Sequence, residues 1–238
     1  MIKGIGLLFL ILLGVCLYGE LPDIFYGKCF NKQGEFITEE VHEVMKQDGK
    51  VVKIRTQYYL PGASKFYAYA ESAFQGSDYL PNFYFHRMTN GFTSRALKEG
   101  RTDLVMFRKE GEKDYYFEKE YTIESDMVVG HGFYFYMFHF LDEMLTHPKL
   151  QIPVHFLVPN KLSKYHFNMT AKRDPENPEV AIVTLVTENI LGRIFYKRII
   201  LKVDLNERHL MSYEGPNTFL YGTQKTPYVK IQYSNQKS

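Results

Sequence analysis

From Glu35 onward, apolar and polar positions alternate in short runs separated by turn-forming residues. Tyr165, Phe167 and Met169 fall on one face of an extended chain, with His166, Asn168 and Thr170 on the other. Ile199, Leu201, Val203 and Leu205 alternate in the same way with Ile200, Lys202 and Asp204. A two-residue period predicts strands with one buried and one mainly wet face. Asp48-Gly49-Lys50, between EFITEEVHEVMKQ and VVKIRTQYYL, is a strong hairpin signal. Pro61-Gly62-Ala63-Ser64 turns the chain into KFYAYAES, and Thr89-Asn90-Gly91 separates NFYFHRM from FTSRAL. Glu110-Gly111-Glu112-Lys113 separates DLVMFRK from DYYFEKEYTI, while Arg173 to Pro178 and Asn206-Glu207-Arg208 read as further loops. Connections this short join antiparallel neighbours. No helix of crossover length alternates with the strands, so a parallel βαβ architecture is not expected.

One segment departs from the two-residue period. Phe133 to His147, FYFYMFHFLDEMLTH, is rich in helix formers toward its end and is stopped by Pro148. Met137, Phe140, Leu141 and Met144 recur at three- and four-residue spacing, and Tyr134, Phe135, Tyr136 and Phe138 widen the apolar surface almost all round. This predicts the principal helix near 133–147, and a helix apolar on most faces is enclosed. The expected fold is mainly β: a long, curled antiparallel sheet, an open or incomplete barrel, with the helix plugging its concave face. Charges on both sides of several strands, and the polar tail from Ser234 to Ser238, count against an outer-membrane barrel.

The N-terminus has a different pattern. Met1-Ile2-Lys3, the apolar run Leu7 to Leu13, and small residues near Gly14 and Gly19 follow the order of a secretory signal peptide. Residues 1–19 are therefore expected to be a leader cut after Gly19, although Leu17 is larger than the usual residue two positions earlier. Lipidation of Cys16 is the competing reading, and the bulk of Val15 counts against it. The apolar run is short for a hydrocarbon layer roughly 30 Å thick, and no later segment has the ~20 apolar residues of a membrane-spanning helix. Residues 20–238 fit one domain with a core large enough to fold without covalent staples. Of the two cysteines only Cys29 would remain after cleavage, so no intramolecular disulfide is expected. An exported protein, periplasmic or associated with the cell envelope, follows.

Composition adds 19 Tyr and 19 Phe with no Trp, which suits half-buried strands. Lys plus Arg (29) nearly balance Asp plus Glu (27), a formal +2 that is too small to argue for a nucleic-acid partner. His139, Glu143 and His147 lie four residues apart on the predicted helix and are of zinc-ligating type. They lack the HExxH pattern, and polar residues at such positions commonly mark a helix's wet edge, so neither a metal nor a cofactor is expected. Gly130-His131-Gly132 is able to bring an imidazole and backbone amides close to a ligand. The preferred reading is the ordinary one, a flexible helix start with a surface histidine. There is no GxSxG elbow, P-loop or dinucleotide fingerprint, Cys29 has no local activating context, and Ser234 to Lys237 in the tail is the one Ser-x-x-Lys. Tyr134, Phe135, Phe138 and Met144, with FYFHRM and KFYAYAES, are expected to line a site for an apolar ligand. Filling a core demands the same residue types, so composition leaves both readings open.

The runs TQYYLPGASKFYAYAES, YLPNFYFHRMTNGF, IPVHFLVPNKLSKYHFNM, ERHLMSYEGPNTF and YVKIQY resemble a family of uncharacterised exported bacterial proteins across most of the mature chain. The motifs are short, and the resemblance implies no activity and no catalytic residue. The expected architecture is similar to the periplasmic lipoprotein carriers and their half-barrel relatives, which implies a concave apolar surface able to shield an acyl chain. The leading expectation is an extracytoplasmic binding or carrier protein for a lipid-like or apolar ligand, in contact with a membrane surface and without a nucleic-acid partner. Two alternatives stand beside it. One is a metal-dependent or other hydrolase using His131, His139, Glu143 or His147, and the other is a non-catalytic envelope interaction module with a filled core.

Overall fold

The computed structural model describes residues 21–75, 79–111, 116–187, 198–217 and 228–237. The leader segment 1–19, with Cys16 and Gly19, lies outside the described residues, as do Glu112 and Lys113 of one expected turn, Thr218 and Phe219, and Ser238. The first strands form a meander of sequential hairpins: β1 (Ile24–Phe30), β2 (Phe36–Gln47), β3 (Lys50–Tyr59), β4 (Ala68–Ala73), β5 (Asn82–Arg87), β6 (Phe92–Glu99), β7 (Asp103–Lys109) and β8 (Tyr116–Thr122). The short strand β9 (Met127–Val129) leads into α1 (Gly132–Thr146). After it come β10 (Ile152–Val158), a 3₁₀ turn at Pro159–Lys161, β11 (Ser163–Arg173), β12 (Val180–Thr187), β13 (Ile199–Asp204), β14 (His209–Pro216) and β15 (Tyr228–Ser234).

All the described strands belong to one 15-stranded sheet that runs from β8 back to β1, then from β15 to β9. The two halves join where β1 pairs antiparallel with β15, Cys29 standing opposite Ile231. Every neighbouring pair is antiparallel except β9 and β10, which run parallel. The sheet is antiparallel as expected, with one local exception: β9 and β10 run parallel, and α1 supplies the crossover between them.

The expected curled, incomplete barrel is corrected. The sheet is neither closed nor strongly curled, and β8 and β9 are the two ends of its ladder. The chain itself links β8 to β9 between Thr122 and Met127, and the 3₁₀ turn after β10 packs on β6 and β7. The Arg108 guanidinium donates to the Asn160 carbonyl at 3.4 Å, and the Tyr121 hydroxyl to the Leu162 carbonyl at 3.0 Å. Nor does the helix plug the whole concave face. Short links tie α1 to β9 and β10, so it must lie over them, and it packs on β9, β10 and β11.

The core divides accordingly. Met137, Phe138, Leu141 and Met144 of α1 pack with Val154, Met169, Leu185 and Leu201. A second cluster joins Cys29, Tyr58, Phe83, Met106, Leu157 and Ile231 from both halves of the ladder. A small third one unites Leu21, Val44 and Ile54, with Phe74 and Phe135 against it. Among the described residues no helix is long and apolar enough to cross a membrane.

Candidate ligand cavity and its buried polar chain

Between these clusters lies a cavity of about 270 Å³. Its walls come from distant parts of the chain: Phe25 of β1, Phe83 of β5, Phe133 and Tyr134 of α1, Phe156 of β10, and Leu201 of β13. Aromatic and aliphatic side chains dominate, as in small-molecule sites, where a few polar groups fix orientation. Here the polar groups include Glu40, His42, Ser94 and His131.

β2 supplies the first of them. Its alternation places Thr38, Glu40, His42 and Val44 inward, so a strand that looks half polar turns part of its polar set toward the core. Glu40 is 3% and His42 6% exposed. Buried polar groups on this scale require partners. They find them in a continuous chain. Glu40 Oε2 lies 3.1 Å from His42 Nε2, and His42 Nδ1 lies 2.8 Å from Thr56 Oγ1 of β3. Thr56 Oγ1 is 2.8 Å from His131 Nε2, and His131 Nδ1 is 2.8 Å from Ser72 Oγ of β4.

The local backbone puts His131 there. Gly130 has φ +51°, and a Cβ on it would meet the Phe83 ring at 2.5 Å and Ser72 Oγ at 2.9 Å. A Cβ on Gly132 would come within 2.1 Å of the Tyr79 carbonyl oxygen. Both glycines are therefore demanded by close approach, and they press the start of α1 against β4 and β5. The backbone amide of His131 donates to Ser72 Oγ at 3.3 Å. The expected surface histidine is thus corrected: His131 is part-buried, and both its ring nitrogens are engaged.

Burial, and secondarily the neighbouring His42, push the His131 pKa down to about 3. Its imidazole is therefore neutral at ordinary pH, with one nitrogen donating and the other accepting. Thr56 has one proton to give, so the chain has two self-consistent polarities. With His42 neutral, Ser72 donates to His131, His131 to Thr56, Thr56 to His42, and His42 to Glu40. With His42 charged, the segment from His42 to Ser72 reverses as a unit. In neither state does His42 or His131 keep a free ring nitrogen for a metal or for proton abstraction. Phe25 stacks flat on the His42 ring, 4.2 Å between centroids and 4° between planes.

Glu40 also colours its surroundings. Burial first, then the Glu40 charge, push up the Cys29 thiol and the hydroxyls of Tyr58 and Tyr233. Tyr213 is raised by burial, with Tyr228, Cys29 and then Glu40 adding to it. The cavity wall beside Glu40 therefore carries protonated tyrosines, and Cys29 is an inert thiol rather than a nucleophile.

Of the residues expected to bind the apolar ligand, Tyr134 lines the cavity, and its hydroxyl donates to the Arg208 carbonyl at 2.9 Å. Phe138 and Met144, 2% and 0% exposed, sit in the helix core and do not line the cavity. Phe135 turns to the third cluster, edge-on to Phe74 at 5.0 Å. His139, Glu143 and His147 are exposed along α1 and do not converge; a His147 ring nitrogen meets the Glu143 backbone carbonyl at 3.2 Å. Among the described residues one group of metal-ligating type does converge, Glu124, Asp126 and His155 on the outer face. Lys164 Nζ already stands 2.8 Å from Glu124 Oε2, and His155 Nδ1 lies 2.8 Å from Glu124 and 3.1 Å from Asp126. The lysine occupies the cation's place, and its hydrogen bond holds the Glu124 carboxyl below the usual range.

Sequence reasoning missed Glu40, His42, Thr56 and Ser72. The available signal was in β2, where Thr38, Glu40 and His42 share their alternation parity with Val44. No protein-family model matches the chain, and no curated protein is similar to it.

Proposed function

We propose that the chain is an exported, extracytoplasmic binding or carrier protein that holds a lipid-like or otherwise apolar ligand in the cavity beneath Phe133 and Tyr134. The cavity itself carries this reading: its walls are mainly aromatic and aliphatic, yet it is bordered by a fully hydrogen-bonded polar chain that can orient a ligand without doing chemistry on it. The likeness to the periplasmic lipoprotein carriers, and to the uncharacterised exported family, belongs to this proposal. So do contact with a membrane surface and export through residues 1–19. The likeness is drawn from an export signal followed by an antiparallel sheet that holds a helix, and it implies the sheltered apolar surface.

Native mass spectrometry of protein recovered from its own envelope tests the proposal directly, with a co-purifying apolar molecule as the expected result. In parallel, the neutral probe N-phenyl-1-naphthylamine should gain fluorescence on binding the purified chain. Phe156→Ala, which removes a wall side chain, should weaken that binding several-fold. A chain that carries no apolar molecule and gives no probe response refutes the proposal.

A further inference from the structure

Resting on that reading of the cavity, we infer that the tip of the β10–β11 hairpin, Pro159 to Leu162, is the gate through which the ligand enters and leaves, with the Tyr121 hydroxyl as its latch. Val158 pairs with Ser163, so the four residues between them lie beyond the ladder. Val158, Pro159, Asn160 and Lys161 all line the cavity, and Lys161 is exposed. One turn of chain is therefore both cavity wall and outer surface. It reaches across to the other half of the sheet, where it packs on β6 and β7.

The tip is fastened at its far side by side chains. The Tyr121 hydroxyl of β8 donates to the Leu162 carbonyl at 3.0 Å, and Arg108 of β7 to the Asn160 carbonyl at 3.4 Å. Within itself the turn is tight, since the Leu162 amide donates to the Pro159 carbonyl at 3.2 Å. Leu162 stands at φ 50° and ψ 42°, a left-handed conformation that disfavours a side chain. Such a turn, hinged at Val158 and Ser163, lifts by giving up side-chain contacts while the ladder of β10 and β11 stays whole, and segments tied in this way open before the sheet does. The other end of the cavity is built differently. Leu21 and Pro22 line it beside Asn235, but Leu21 is 6% exposed within the third cluster, and β1, which follows, is paired on both sides by β2 and β15. Passage there has to disturb a core cluster and the ladder.

The experiment follows binding and release of N-phenyl-1-naphthylamine by the full purified chain in stopped flow. Tyr121→Phe removes the latch bond and leaves the cavity wall as it is. Association and release should both quicken by about fivefold, the rate equivalent of one net hydrogen bond, with affinity unchanged. Asp23→Ala, which breaks an ion pair to Lys46 at 3.0 Å beside the other end, should leave both rates as they are. Unchanged rates in Tyr121→Phe, faster exchange in Asp23→Ala instead, or weaker binding with no faster association overturns the gate and leaves the cavity reading intact. Absence of any probe binding sinks the cavity reading and this inference with it.

Discussion

At His131 the cost of burying a charge outweighs the ordinary tendency of imidazole to protonate near neutrality, and the pKa falls to about 3. The unfolded chain, with a histidine pKa of about 6.5, takes up the proton first. The stability contributed by neutral His131 is thus full above pH 6.5 and is lost as pH falls from there toward 3. The slope reaches at most about 1.4 kcal/mol per pH unit for this one group. Urea unfolding at pH 7, 5.5 and 4 should show wild type losing stability faster on acidification than His131→Asn, because the carboxylates common to both cancel in the comparison. Parallel pH profiles for the two proteins contradict the neutral, buried imidazole. Gly132 permits a sharper test of packing, since its missing Cβ would stand 2.1 Å from the Tyr79 carbonyl oxygen. Gly132→Ala should cost about 1 to 3 kcal/mol in denaturant unfolding, as overpacked sites do. At this scale the sequence singled out Gly130-His131-Gly132 but not its meaning, because the atoms that make the glycines necessary belong to Ser72, Tyr79 and Phe83.

Among the elements, α1 was the most legible. Its span Gly132–Thr146 lies within a residue of the expected 133–147 at each end, and His147, just before Pro148, has left the helical region at φ −121°. The hairpins at Asp48-Gly49, Asn90-Gly91 and Asn206-Glu207-Arg208 also stand where the turn residues placed them. β9 was not legible: its residues Met127, Val128 and Val129 are all buried, so it shows no alternation, as in parallel strands covered on both faces. The helix also separates core from cavity in a measurable way. Phe138, 2% exposed in the helix core, should cost about 3 to 5 kcal/mol when cut to Ala, with probe affinity per folded molecule unchanged. Phe133→Ala, on the cavity side, should cost less stability and weaken the probe several-fold. Equal effects of the two substitutions on probe binding contradict this division of the helix's faces.

In the whole molecule, the ladder's end strands β8 and β9 are joined by the short link from Thr122 to Met127 without pairing, and side-chain bonds tie β7 and β8 to the connection between β10 and β11. The Tyr121 hydroxyl on Leu162 is one of them, so Tyr121→Phe should cost about 0.5 to 1.5 kcal/mol. Amide exchange should speed up in β8 while β1, at the middle of the ladder, keeps its protection. Equal exchange throughout contradicts the bridging role. Most strands after Glu35, most turns, the helix and the mainly β class followed from the sequence, whereas β1 and β9 did not, because two-residue and 3.6-residue periods are written in local runs and record which side of each element is buried. Which buried side chains meet was decided only in three dimensions. Thr56 and His131 are 75 residues apart and Ser72 and His131 59 apart, yet the order of β2, β3 and β4 beside the start of α1 brings them within hydrogen-bond reach. Alternation says that Glu40 and His42 point inward, but inward toward what depends on strand order and on loop closure between distant segments. Local periodicity carries no record of either.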